Sequence, residues 1–124
     1  MARSATQATF AGVNAAVAQN GAPMFVKYMD KASVQSAVAN SAALTGTLSV
    51  QYSNDTPPSE LSALPSFVPT NWNDAGQFVT LAGAAQPTGI PSFDISCKFI
   101  RLVWTPSAGS GNLTASITAK AIGD

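Results

Sequence analysis

The sequence predicts an all-β fold, an antiparallel β-sandwich of jelly-roll-like type preceded by an extended N-terminal arm. Three observations point there. Apolar and polar residues alternate with period two over several short stretches, as in Thr47–Tyr52 and Asn112–Ile122. Clusters of Gly, Pro, Asn, Asp and Ser separate these stretches. No segment repeats apolar residues at helical spacing over any length. Alternation marks a half-buried strand because successive side chains point to opposite faces of a sheet, and many short strands between turn clusters mark a sandwich or barrel.

Residues 1–23 read differently from the rest. Phe10, Val13 and Val17 are sparse apolar residues among Ala, Thr, Gln and Asn, with Gly12 between them, and Pro23 closes the segment. They are too few to bury one another, so the segment is expected to be an extended assembly arm that gains order on a partner. A frayed terminus is the plain alternative. The sandwich is then assigned to residues 24–124.

Within 24–124 the first strand is expected over Met24–Tyr28. Ser33–Ala39 follows with Val34, Ser36 and Val38 on one face, then Thr47–Tyr52 with Leu48, Val50 and Tyr52 inward. The short linker 40–43 between them suits an antiparallel connection. Ser53–Pro58 is a loop by composition, and a helical turn is expected at 59–62. Gln77–Leu81 resumes as a strand, and Ile90–Ile95 reads as an edge strand because Pro91 lacks a ladder donor. Lys98–Trp104 is a near-continuous apolar run of β-formers, expected as a central strand covered on both faces. Pro106–Gly111 reads as the loop of a C-terminal hairpin at the centre of the core, whose second strand points Leu113, Ala115, Ile117, Ala119 and Ala121 one way.

Composition narrows the function classes. Six Lys and Arg balance six Asp and Glu, and only 10% of the 124 residues are charged. The basic residues are scattered and form no stripe, which argues against direct nucleic-acid binding. Near-zero net charge with a surface of Ala, Ser, Thr and Gly suits faces covered by copies or partners. A Ser/Thr-rich secreted or surface-exposed domain is the other reading. There is no His and a single cysteine, Cys97, expected as a small core residue. No usual base stands beside a nucleophile, and the common zinc sites lack their ligands. Phosphate loops, dinucleotide glycine motifs and nucleophile elbows are missing as well. The expectation is a non-enzyme with no catalytic residues, no cofactor and no metal. Thr6, Gln7, Thr9, Asn14 and Gln19 break any signal-peptide core, and no stretch has the length of a membrane-spanning helix, so the chain is expected to be made in a cytoplasm.

One constellation suggests a ligand. Tyr52, Asp55, Trp72 and Asp74 fall in or beside predicted loops, and aromatics next to acids and amides are the kit for sugar stacking and hydroxyl recognition. The same residues also serve to plug the end of a sandwich and cap its turns.

Three blocks carry a family resemblance. Gly46–Asp55 (GTLSVQYSND), the pair Trp72 with Val79-Thr80-Leu81, and Phe99–Ala115 (FIRLVWTPSAGSGNLTA) resemble, in that order along the family's chains, segments of small bacteriophage virion proteins. The resemblance covers about residues 30–123, and the Pro-rich stretch Pro57–Pro69 departs from it. It implies a β-sandwich subunit located in the virion and without catalytic residues: a capsid decoration (cement) or minor capsid protein, a homo-oligomer that also contacts the major capsid protein or other virion proteins. A neck or tail adaptor is an alternative within that family. A carbohydrate-binding module that recognises host glycans is the alternative outside it.

Overall fold

The computed structural model describes residues 3–56, 67–82 and 88–121, and it is all β. Two 23-residue strands dominate it: β4 (Lys31–Ser53) and β7 (Phe99–Ala121). Around them lie β1 (Arg3–Asn14), β2 (Gln19–Asn20), β3 (Met24–Phe25), β5 (Asn73–Ala82) and β6 (Thr88–Asp94). All pairings are antiparallel and join one sheet.

β4 and β7 pair with each other along nearly their whole length, from Lys31 opposite Lys120 to Ser53 opposite Phe99. Midway the ladder is irregular: its register shifts between Ala39 and Ala42, between Ala42 and Thr45, and between Thr45 and Gly46. Asn40, Ala43 and Gly109 take positive φ in this waist. Either side of it the ribbon has different neighbours. The first half of β4 and the last half of β7 are flanked by β6 and β1. The last half of β4 and the first half of β7 are flanked by β5 and by β2 and β3. Buried residues of both halves, Val34 and Ile117 on one side and Leu48 and Leu102 on the other, belong to one core cluster. The sheet thus bends at the waist into a sandwich-like fold whose two layers share β4 and β7.

The waist has a stereochemical task. In β7 the inward residues before it are Ile100, Leu102 and Trp104; after it they are Leu113, Ala115, Ile117 and Ala119. These sets differ in parity. In β4 the inward set keeps its parity from Val34 and Val38 to Leu48 and Val50. Alternation through a regular ladder would turn one half of β7 outward, since a one-residue slip moves every side chain to the opposite face. The bulged waist absorbs that residue and keeps both apolar sets on the core side.

The predicted strand faces of 33–39, 47–52 and 112–121 are borne out, as is β6. Two expected connections are not. Neither 40–43 nor 106–111 is a hairpin loop, and 99–104 and 112–121 do not pair with each other; each pairs with β4. Glycine and parity breaks announce a turn and a bulge alike, and here both long strands continue through. The first strand is shorter than expected, Met24–Phe25 in place of Met24–Tyr28. The 98–104 run is central, but its outer residues Arg101 and Val103 are only half-buried. The turn expected at 59–62 and most of the Pro57–Pro69 stretch lie outside the described residues.

The segment 1–23 does not stand apart from the sandwich. β1 pairs with β7 from Arg3 opposite Ala121 to Asn14 opposite Asn112. Phe10 is 3% exposed in the core, Val13 packs against it and Val17 remains exposed. Phe10 has no need of mates within its own segment, because β7 and the opposite layer bury it. Ala15 is fully buried, donates its N–H to the Gly111 carbonyl (2.9 Å) and accepts the Trp104 indole N–H (2.8 Å). Gly21 donates to the Leu102 carbonyl at 2.7 Å, and a Cβ at Gly21 would collide with the Thr9 side chain. Trp104 itself is fully buried; a Cβ at Gly46 would lie 2.5 Å from its ring, so the tight approach of β4 depends on that glycine.

Two outcomes are expected. A chain beginning at Met24 lacks β1, the Ala15 acceptor and Phe10, and circular dichroism should find it unfolded or aggregated; a cooperative melt near that of the full chain would show that the segment is dispensable to the core. Trp104→Ala should lower the unfolding free energy by about 3–5 kcal/mol in denaturant titration, and an unchanged midpoint would contradict its place in the core.

Candidate functional site

At the end of the sandwich away from the waist the two layers part. The chain leaves β4 at Ser53 and β6 at Asp94 here, and it enters β5 at Asn73 and β7 at Phe99. Between these ends lies a cleft of about 340 Å³. Its floor is apolar: Ile100 and Phe93 are buried, and Tyr52, Ile95 and Cys97 pack against the core. Its rim is polar, from Asn54, Asp74, Asp94 and Ser96.

Most rim groups already have partners. Asp74 Oδ1 accepts the N–H of Gly76 at 2.8 Å, which holds the tight positive-φ turn at Gly76 within β5. Asn54 Oδ1 accepts the N–H of Lys98 at 3.1 Å. Asp94 is ion-paired with Lys31 across the β6–β4 ladder. Burial pushes the Cys97 thiol pKa up from its ordinary value, so the neutral thiol is the form that lines the cleft. The thiol is half-buried there, short of the core position expected for it. An aromatic and aliphatic floor under a rim of acceptors suits a small ligand that donates hydrogen bonds, such as a polyol.

The four residues read from sequence as one ligand loop are divided between two faces. Tyr52 and Asp74 line the cleft. Asp55 and Trp72 do not. Asp55 is a clamp: Oδ2 accepts the N–H groups of Thr70 (2.8 Å) and Asn71 (3.0 Å), and Oδ1 accepts the Asn71 side-chain amide at 3.0 Å. These bonds, those from Asn71 foremost, hold its carboxyl below the ordinary aspartate value. Trp72 donates its indole N–H to the Pro69 carbonyl at 3.0 Å, and its ring lies 4.3 Å from the Arg101 guanidinium. Arg101 in turn donates through Nε (2.9 Å) and Nη2 (2.7 Å) to Gln51 Oε1. Desolvation lowers the Arg101 pKa from its ordinary value. Gln51 and Tyr52 are adjacent in β4 and point to opposite faces, which is why Trp72 and Tyr52 cannot share a site.

Beyond Trp72, residue 67 lies over the same outer face. Phe67 packs on Phe99 (ring centroids 5.6 Å apart), and Phe25 packs on Phe99 as well (5.2 Å). This covers Phe99, which alternation alone would leave on the solvent side. On the other layer, a shallow hollow of about 290 Å³ lies among Lys31, Ser33, Thr118 and Lys120.

Sequence reasoning missed Phe93, Ile95, Ser96 and Cys97 as cleft residues. They carry no motif, and only the return of β6 along β4 sets them opposite Tyr52. Among the described residues no group of three or more His, Cys, Asp or Glu could hold a metal ion, and no helix is long and apolar enough to cross a membrane. No protein-family model, curated protein or solved structure matches the chain.

Because the folded-state pKa of Asp55 is depressed, its carboxylate stabilises the fold above the ordinary aspartate range, and that contribution is lost as pH falls through the folded-state value, below 3.8. Asp55→Ala is therefore expected to lower the melting temperature at neutral pH. The deficit should shrink on acidification below that value, and a deficit independent of pH would show that the clamp is not electrostatic.

Proposed function

We propose that this chain is a non-enzymatic structural subunit of a bacteriophage particle, a capsid decoration or minor capsid protein that associates through its sandwich faces and edges. One observation carries the reading. The three blocks that resemble phage virion proteins are far apart in sequence, yet each contributes to three neighbouring strands: Leu48 of β4 stands opposite Trp104 of β7 on one side and Val79 of β5 on the other. The resemblance thus follows a packed unit of the fold, as it would for a shared scaffold. The neutral, weakly charged surface supports the same reading, since copies can approach without repulsion.

A second reading, a glycan-binding module, is favoured by Tyr52 and Asp74 on the cleft. Trp72 plays no part in it, being engaged with Arg101 on the opposite face.

Quantitative mass spectrometry of purified particles tests the main reading. The chain is expected in a fixed copy number relative to the major capsid protein, retained through density-gradient purification. Its absence from particles, together with saccharide-dependent shifts in the NMR signals of Tyr52, would overturn that reading in favour of the glycan module.

A further inference from the structure

The sheet has several edges, and they differ in how they are guarded. Natural sheets blunt exposed edges with charge, proline, bulges or short strands, because a free row of N–H and C=O groups is a template for another strand. β6 carries Pro91, a register shift between Ala32 and Val34, and the Asp94–Lys31 ion pair. β1 is broken by shifts between Ala8 and Phe10 and between Phe10 and Val13, with Gly12 at φ 65°. β2 and β3 are two residues each.

β5 has none of these devices over its second half. From Phe78 opposite Ser49 to Ala82 opposite Thr45 its ladder with β4 is unbroken. Residues 77–82, QFVTLA, hold no charge and no proline. Among the described residues β5 pairs with β4 alone, and no described strand lies on its other edge. Phe78 is 63% exposed on the outer face beside this edge, and Thr80 is exposed on the same face.

The geometry points to residues 77–82 of β5 as a docking edge for a second copy of this chain, paired antiparallel so that two sheets become one. The chemistry selects the occupant. The edge is uncharged, so it offers an oppositely charged partner nothing, and the chain's net charge of zero leaves two copies without mutual repulsion. Antiparallel pairing of one strand with itself is self-complementary about a two-fold axis, the commonest symmetry of homo-oligomers. It would bring the Phe78 and Thr80 rows of two copies side by side and cover the exposed ring, where cross-strand aromatic contacts add to the backbone bonds.

The test is made on the isolated full chain. Sedimentation equilibrium is expected to show a monomer–dimer equilibrium, with backbone amides of 77–82 gaining hydrogen-exchange protection as concentration rises. Phe78→Lys with Thr80→Lys puts like charges across the joint and should weaken dimerisation more than about tenfold, with little change in the melting temperature measured at monomeric concentrations. Gln7→Lys, on the β1 edge, should leave the dimer intact. A wild-type chain that stays monomeric overturns the inference, as does exchange at 77–82 that ignores concentration or a double variant that still dimerises. The exchange measurement needs no substitution and decides the matter if the double variant does not fold. A chain found in particles yet monomeric in solution would sink the edge alone, and a dimer absent from particles would sink the virion reading alone.

Discussion

Everything in this fold hangs on the pairing of β4 with β7. Each strand is 23 residues long, and each contributes to both layers. The other strands add only to the flanks of this ribbon: β1, β2 and β3 to β7, and β5 and β6 to β4. A regular ribbon of that length would twist out into solvent with one apolar face bare. Bending it at the waist folds that face onto itself, which is how the described residues form a core from strands alone. The waist must also shift the ladder by one residue, since the two halves of β7 have opposite inward parity.

Trp104 and the N-terminal segment lock the bend. Trp104 is the last inward residue of β7 before the waist, packed over Gly46 of β4. Its indole N–H is bonded to the carbonyl of Ala15, in the crossing from β1 to β2. A buried indole without an acceptor would cost about 1–3 kcal/mol, so this bond ties the path of residues 15–21 to the core of the opposite layer. The segment that looks least like a folded element in the sequence is therefore the one that fastens the two layers on the β7 side.

The open end and the β5 edge are consequences of the same architecture. Closing the ribbon at the waist leaves the far strand ends apart, and the cleft forms there from Tyr52, Phe93 and Ile100 with acceptors around it. The outer face of that layer is held by contacts of another kind, the Trp72–Arg101–Gln51 stack and the Phe67–Phe99–Phe25 row. β5 ends this layer with an unguarded edge, whereas β6 and β1 end the other layer with guarded ones. Among the described residues this asymmetry is what singles out the β5 edge as the proposed place for backbone pairing with a second copy.

The sequence by itself determined the all-β character and most strand faces. Val34, Ser36 and Val38, Leu48 and Val50, and Leu113, Ala115, Ile117 and Ala119 are buried as their alternation requires, because the period of side-chain direction is a local property of an extended chain. Only the tertiary structure decided which strands are neighbours. Pro106–Gly111 and Asn40–Ala43 look like turns in isolation and become a shared bulge because each lies opposite the other. Phe10 looks stranded among polar residues and is buried because β7 and the opposite layer supply the surface it needs. Tyr52, Asp55, Trp72 and Asp74 look like one cluster, but strand parity and the Asp55 clamp send Trp72 to the outer face while Phe93 and Cys97, from a distant segment, complete the cleft. Local alternation tells which way a side chain points; what stands opposite it depends on long-range pairing that no local pattern encodes.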